Sequence, residues 1–162
     1  MEYNKSVSNP MLVGAIELVK VEDTPAHKKM VSDEIIKAVY LTPAKVTPIP
    51  PEGETKLPQG SNIQLPVIAT PNGHQFFMAF TDKAELKKWK DDEEQQTLAM
   101  SFDDYAMMMF KKDGQGNPSP VAGFVINPMG ANIIVPKEMV AQYISAKMAK
   151  EKNGATPSDT QI

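Results

Sequence analysis

The chain contains no cysteine, which removes disulfides, thiolate metal sites and cysteine nucleophiles together. It contains no arginine either, since all 17 basic residues are lysine. Bidentate guanidinium forks, arginine fingers and guanine-reading arginines are therefore excluded. Histidine is scarce: His27 and His74 are the only two, too few for a histidine-built metal cluster. Against 20 acidic residues the lysines leave a net charge of −3, so no basic surplus announces nucleic acid or an anionic membrane. Long apolar runs are missing as well. The stretch from Met11 to Ile16 stops at Glu17, short of the roughly 7–15 apolar residues of a secretory signal and the roughly 18 of a membrane span. These absences predict a soluble, cytoplasmic protein with no metal, no cofactor, no nucleic-acid partner and no membrane contact. Oligomeric state is not encoded in any of them.

What is present suits one domain, because 162 residues at 41% hydrophobic content can bury a core of their own. Asn9-Pro10 and Thr24-Pro25 each read as a helix entry, a capping residue followed by proline in the first turn. Met11, Leu12, Ala15, Ile16 and Val19 share one face of the first helix. Met30, Val31 and Ile35 mark the stripe of the second, which runs out near Ile36. Residues 38–42 are β-branched and aromatic and predict a strand. Pro48, Pro50, Pro51, Gly53, Pro58 and Gly60 then crowd residues 48–61, a composition that blocks regular hydrogen bonding and predicts a mobile loop insertion.

A hairpin follows, from Ile63 to Phe80 around Pro71-Asn72-Gly73. Counting outward from a Thr70–His74 pair sets Ile68 opposite Phe76 and Val67 opposite Phe77. Pro66 lacks an N–H, which makes its strand an edge or gives it a bulge. Thr81 is the expected cap of a helix to Lys90, with Leu86 and Trp89 inward. Residues 97–100 predict a short strand. Ser101-Phe102-Asp103-Asp104 resembles a capping box, opening a helix to Lys112 with Gly114 as its stop. Val121 to Ile126 reads as a buried strand, Asn127-Pro128-Met129-Gly130 as a turn, and Ile133 to Val135 as the returning strand. Pro136 opens a final helix with Met139, Val140, Tyr143, Ile144 and Met148 inward. The expected class is α+β: one mixed sheet of about five or six short strands with helices on its faces. The domain spans 9–150, and a disordered tail over 151–162 follows from its Gly, Thr, Pro, Ser and Gln content.

The series Phe80-Thr81-Asp82, Leu86, Trp89, then the Ser101 helix, then Phe124-Val125-Ile126-Asn127-Pro128-Met129-Gly130 resembles the SseB N-terminal domain family. The resemblance extends over roughly residues 12–148. It departs in the Pro-rich insertion and in lacking, after Tyr143, the second domain of longer members. It implies a small α+β domain of bacterial cytoplasm, with a serine-sensitivity phenotype behind the family name and no assigned reaction.

Candidate sites are few. Asn127, Met129 and Gly130 could present side-chain amide and backbone groups to a ligand, although Asn-Pro and a following Gly also make turns unaided. His74 at the hairpin tip and His27 in a first helical turn lack the carboxylate spacing of a general base. Asp91 to Glu94 lacks the alternating oxygens and glycine bend of a calcium loop. Gly114-Gln115-Gly116 follows a helix and precedes a strand, the reverse of a phosphate cradle. Phe102, Ala106, Met109 and Phe110 complete an inward stripe that Tyr105 and Met108 widen at its margin, leaving Met107 outward; the extra apolar surface fits either a helix covered more deeply than usual or a flexible contact surface for a partner. The resulting expectation is a non-enzymatic binding or regulatory module contacting a protein partner or a small metabolite through Asn127, Met129, Gly130, Met107 and Met108. The alternative is an enzyme with a site around the Asn127 turn.

Overall fold

The structure, a computed structural model, describes the backbone of residues 1–160 and the side chains of residues 1–152. In chain order the elements are β1 (Glu2–Tyr3), α1 (Pro10–Val21), α2 (Pro25–Lys37), β2 (Val39–Pro43), β3 (Lys45–Thr47), β4 (Asn62–Gln64) and β5 (Val67–Ala69). They continue with β6 (Gln75–Ala79), α3 (Lys83–Trp89), β7 (Thr97–Ser101), α4 (Phe102–Phe110), β8 (Gly123–Ile126), β9 (Ile133–Pro136) and α5 (Lys137–Thr160). The fold is mixed α+β, as the alternating periodicities predict. The strands divide differently from the single sheet expected. They form a three-stranded sheet in the order β1-β7-β2, the pair β3-β4, and a four-stranded sheet in the order β5-β6-β8-β9. One reciprocal pair joins the two larger sheets: Leu41 N–H donates to Phe80 O at 2.8 Å, and Phe80 N–H to Leu41 O at 2.9 Å. Short strands interrupted by proline cannot extend one ladder across the whole molecule.

The hairpin register is the one counted from the turn, with Val67 opposite Phe77 and Ile68 opposite Phe76. Gly73 takes φ +87° at the turn, and β5 is an edge strand. Ile63 belongs elsewhere, in β4 paired with β3, because Pro66 breaks the run between them. β6 and β8 lie parallel, with Ala79 opposite Ile126, so the segments leaving both strands emerge at the same end of the sheet. The insertion at 48–61 holds no regular element. It is nevertheless tied down: Thr55 O accepts from Tyr3 N–H at 2.7 Å, Pro50 is buried and Leu57 packs against the core.

Aromatic rings organise that core. Tyr105 stacks on Phe124 with centroids 4.6 Å apart, Tyr40 meets Phe124 edge-on at 5.9 Å, and Phe102 meets Tyr143 at 4.8 Å. Buried tyrosines need partners for their hydroxyls. Tyr40 donates to Ile35 O at 2.7 Å and Tyr105 to Met78 O at 2.8 Å, while Thr42 Oγ1 also meets the Tyr105 hydroxyl. Burial pushes both phenol pKa values well above the ordinary tyrosine range.

Several local expectations change. Asn9 does not cap α1 with its side chain; its Nδ2 instead donates to Val39 O and Thr81 O, pinning α1 to the sheet. Asp82, not Thr81, caps α3 by accepting from Glu85 N–H at 3.0 Å. The Ser101 capping box forms as expected, but α4 ends at Phe110, short of Lys112. Its buried stripe is Phe102, Tyr105, Ala106 and Met109, and Phe110 is exposed beneath Lys137 Nζ. Phe110 is the last helical residue, so no further turn carries it inward. Met11, Met30, Met139 and Met148 are exposed rather than inward. The neighbouring Leu12, Ile35 and Val140 occupy the core instead, and unbranched methionine is tolerated at the margins. α5 continues to Thr160, and the expectation of a disordered tail falls mostly on residues whose side chains lie outside the described part.

Candidate functional site

The Asn127 turn lies where β8 ends beside the end of β6. Asn127 adopts φ +51°, a left-handed conformation that asparagine accepts more readily than most residues. It is buried at 5% exposure. Its Oδ1 accepts from Thr81 N–H at 3.0 Å, and its Nδ2 donates to Thr81 Oγ1 at 3.0 Å. Its backbone N–H donates to Ala79 O at 2.8 Å, while its carbonyl accepts from Gly130 N–H and Asn132 N–H, both at 2.8 Å. Each polar group of Asn127 is thus engaged inside the fold. The side chain works as a clasp between the ends of two parallel strands, which also explains why Thr81 is fully buried.

Outside this clasp lies a polar cleft of about 300 Å³, bordered by Glu17, Lys20, Asp82, Glu85, Lys88 and Gly130. Glu85 Oε2 pairs with Lys88 Nζ at 2.5 Å. Gly130 faces the same carboxylate so closely that an added Cβ would lie 2.4 Å from Glu85 Oε1. Asp82 is occupied by the α3 cap and by the Thr81 hydroxyl at 2.9 Å. Among the described residues no group of His, Asp or Glu could hold a metal ion.

The other candidates do not converge. Met129 and Met107 are both exposed at 54% and Met108 is half-buried against the core. Met107 and Met108 share α4 but line no cavity with Asn127, Met129 or Gly130. His74 is exposed at the hairpin tip. His27 places Nδ1 at 2.6 Å from Glu22 O, a helix-entry contact with no carboxylate behind it.

A second, larger concavity was not anticipated. A groove of about 640 Å³ opens between the α1–α2 hairpin, β9, α5 and the start of α4. α2 contributes Val31, Ile35 and Ile36; β9 contributes Ile133, Ile134 and Val135; Phe102, Met139 and Tyr143 complete it from the far side. Among the described residues its only charged lining side chains are Lys20 and Lys28. Ile16, Lys20 and Ala131 border both the groove and the polar cleft. The sequence carried only a partial signal for it: α1 holds more apolar positions than one core stripe uses, and Ile133-Ile134-Val135 is apolar without alternation, which marks apolar surplus on these elements but not the gap between them.

None of the helices among the described residues is long and apolar enough to cross a membrane. No curated protein and no solved structure matches the chain. The model of the SseB protein N-terminal domain matches residues 12–142, a span that takes in the clasp and every lining residue of the groove except Tyr143, and the chain belongs to that family.

Proposed function

We propose that this protein is a non-enzymatic binding module of the bacterial cytoplasm whose ligand seats in the groove between the α1–α2 hairpin, β9 and α5. The groove's volume of about 640 Å³ carries the reading, since it lies within the 300–1,000 Å³ of small-molecule sites and is walled by aliphatic and aromatic side chains. An exposed concavity of that character is costly in water unless something covers it. Catalysis around Asn127 has less support, because the groups that would have to act there are spent on Thr81, Ala79, Gly130 and Asn132. Neither histidine borders the groove or the cleft.

The test uses the fluorescent probe anilinonaphthalene sulfonate on the native protein and on Ser32→Trp. Ser32 is exposed on α2 and lines the groove, so the indole fills the site without entering the core. Saturable probe binding by the native protein, weakened at least about tenfold in the folded variant, is expected. Equal binding by both would place the apolar site elsewhere and overturn the reading.

A further inference from the structure

The lysines at one end of the groove define its ligand more narrowly. Lys20 lies in the last turn of α1 and Lys28 in the first turn of α2, so both flank the short link between these helices. Among the described residues they are the only charged side chains lining the groove, and no carboxylate lines it. From Lys28 the wall continues along α2 through Val31 and Ile35 to Ile36. That is eight steps along the helix, or roughly 12 Å at a rise of ~1.5 Å each. One end is cationic and the remainder is apolar apart from the Ser32 hydroxyl.

We infer that the groove takes an anionic amphiphile, a free long-chain carboxylate whose head meets Lys20 and Lys28 and whose chain lies along α2 toward Phe102 and Tyr143. The inference rests on the groove being the binding site. The two lysines already have partners, Lys20 with Glu17 at 3.1 Å and Lys28 with Asp23 at 3.3 Å. All four side chains are about half exposed or more, and solvent-screened pairs of this kind hold little energy. Neither Glu17 nor Asp23 lines the groove, so an incoming carboxylate displaces them from the lysines rather than sharing the groove with them. A ligand anchored by its chain holds its carboxylate at the lysines at high effective concentration and competes with such pairs. The groove's volume of about 640 Å³ matches a single small amphiphile.

Displacement of the fluorescent probe by dodecanoate, dodecanol and dodecyltrimethylammonium, each below its micelle concentration, tests the head-group assignment. Dodecanoate is expected to displace at about tenfold lower concentration than dodecanol, and the ammonium compound to be weakest. In Lys20→Gln/Lys28→Gln the carboxylate and the alcohol become equal, with the alcohol unchanged. Equal displacement by carboxylate and alcohol in the native protein would overturn the head-group assignment while leaving the groove as the site. Failure of both, with probe binding untouched by Ser32→Trp, would remove the groove itself. Sedimentation with phosphatidylglycerol vesicles free of fatty acid is expected to leave the protein in solution. Binding there would assign the lysines to a membrane surface instead, and tighter displacement by an acidic, leucine-rich helical peptide would assign the groove to a partner protein.

Discussion

Replacing Asn127 with alanine tests the clasp at the ends of β6 and β8. The substitution removes the only side-chain acceptor of Thr81 N–H, a bond of 3.0 Å to a residue with no exposed surface. An orphaned buried amide costs about 1–3 kcal/mol. Loss of the Nδ2 donor matters less, because Thr81 Oγ1 keeps its bond to Asp82 Oδ2 at 2.9 Å. Alanine must also hold φ +51°, a left-handed geometry that costs an ordinary L-residue about 1–2 kcal/mol, of which asparagine recovers part through local hydrogen bonding. The total for Asn127→Ala is about 2–4 kcal/mol. Asn127→Gly loses the same acceptor without the backbone strain, so it should cost about 1 kcal/mol less. Urea unfolding followed by circular dichroism measures both, with the slope checked for unchanged exposure on unfolding. Alanine within about 0.5 kcal/mol of wild type would refute the clasp and return Asn127 to the list of groups free to meet a ligand.

Three other outcomes follow from burial and backbone geometry. Met109→Ala, at a side chain with no exposed surface, should cost about 2–5 kcal/mol through the cavity it leaves; Met107→Ala should stay within about 0.5 kcal/mol, and denaturant unfolding of the pair decides whether α4 is buried on one side or all round. Gly123→Ala should lower the melting temperature more than Gly130→Ala. At Gly123, with φ +153°, the new Cβ would lie 2.2 Å from the backbone oxygen of Val135, whereas at Gly130 it meets the movable end of Glu85. In alkali, Tyr40 and Tyr105 keep their protons in the folded state, because burial raises their pKa values above the ordinary tyrosine value of 10.0. The stabilisation is therefore complete below pH ~10 and falls above it by about 1.4 kcal/mol per pH unit for each tyrosine until the protein unfolds. Tyrosinate absorbance should show these two ionising only with unfolding, and a reversible titration of all four tyrosines near pH 10 in the native state would contradict the burial.

The fold was legible where a local rule and the tertiary structure agree. Thr24 and Ser101 cap their helices as their sequences dictate, with His27 N–H and Asp104 N–H as donors. The Pro71-Asn72-Gly73 turn fixed a register that all of β5 and β6 then obey. Legibility failed where a polar side chain had two possible employers. Asn9 and Thr81 both carry cap-forming chemistry, yet Asn9 reaches Val39 and Thr81, 30 and 72 residues along the chain, and Thr81 closes on Asn127. Burial decides such contests, because a carbonyl or amide orphaned in the interior costs more than a helix end that water can satisfy. The apolar stripes failed similarly at their flanks. Spacing identifies a helix's apolar side but not how much of it the neighbours cover, so Met11, Met30 and Phe110 came out exposed beside the buried Leu12, Ile35 and Met109.

The same limit accounts for the site. Polar turn residues drew attention to Asn127 because ligand-binding turns and merely structural ones use the same residue types, and only the partner list separates them. The groove is the reverse case. Ile16, Val31, Ile35 and the β9 run each read as ordinary core, and nothing in their spacing says that α1, α2, β9 and α5 stop short of closing over one another. A concavity is a property of the gap between elements, and hydrophobic periodicity reports only on each element by itself. The lysines were equally inconspicuous among 17. They acquire meaning once the α1–α2 hairpin brings residues 20 and 28 to one end of an otherwise apolar wall. There the contrast between the two ends specifies an amphiphile more sharply than any motif in the chain.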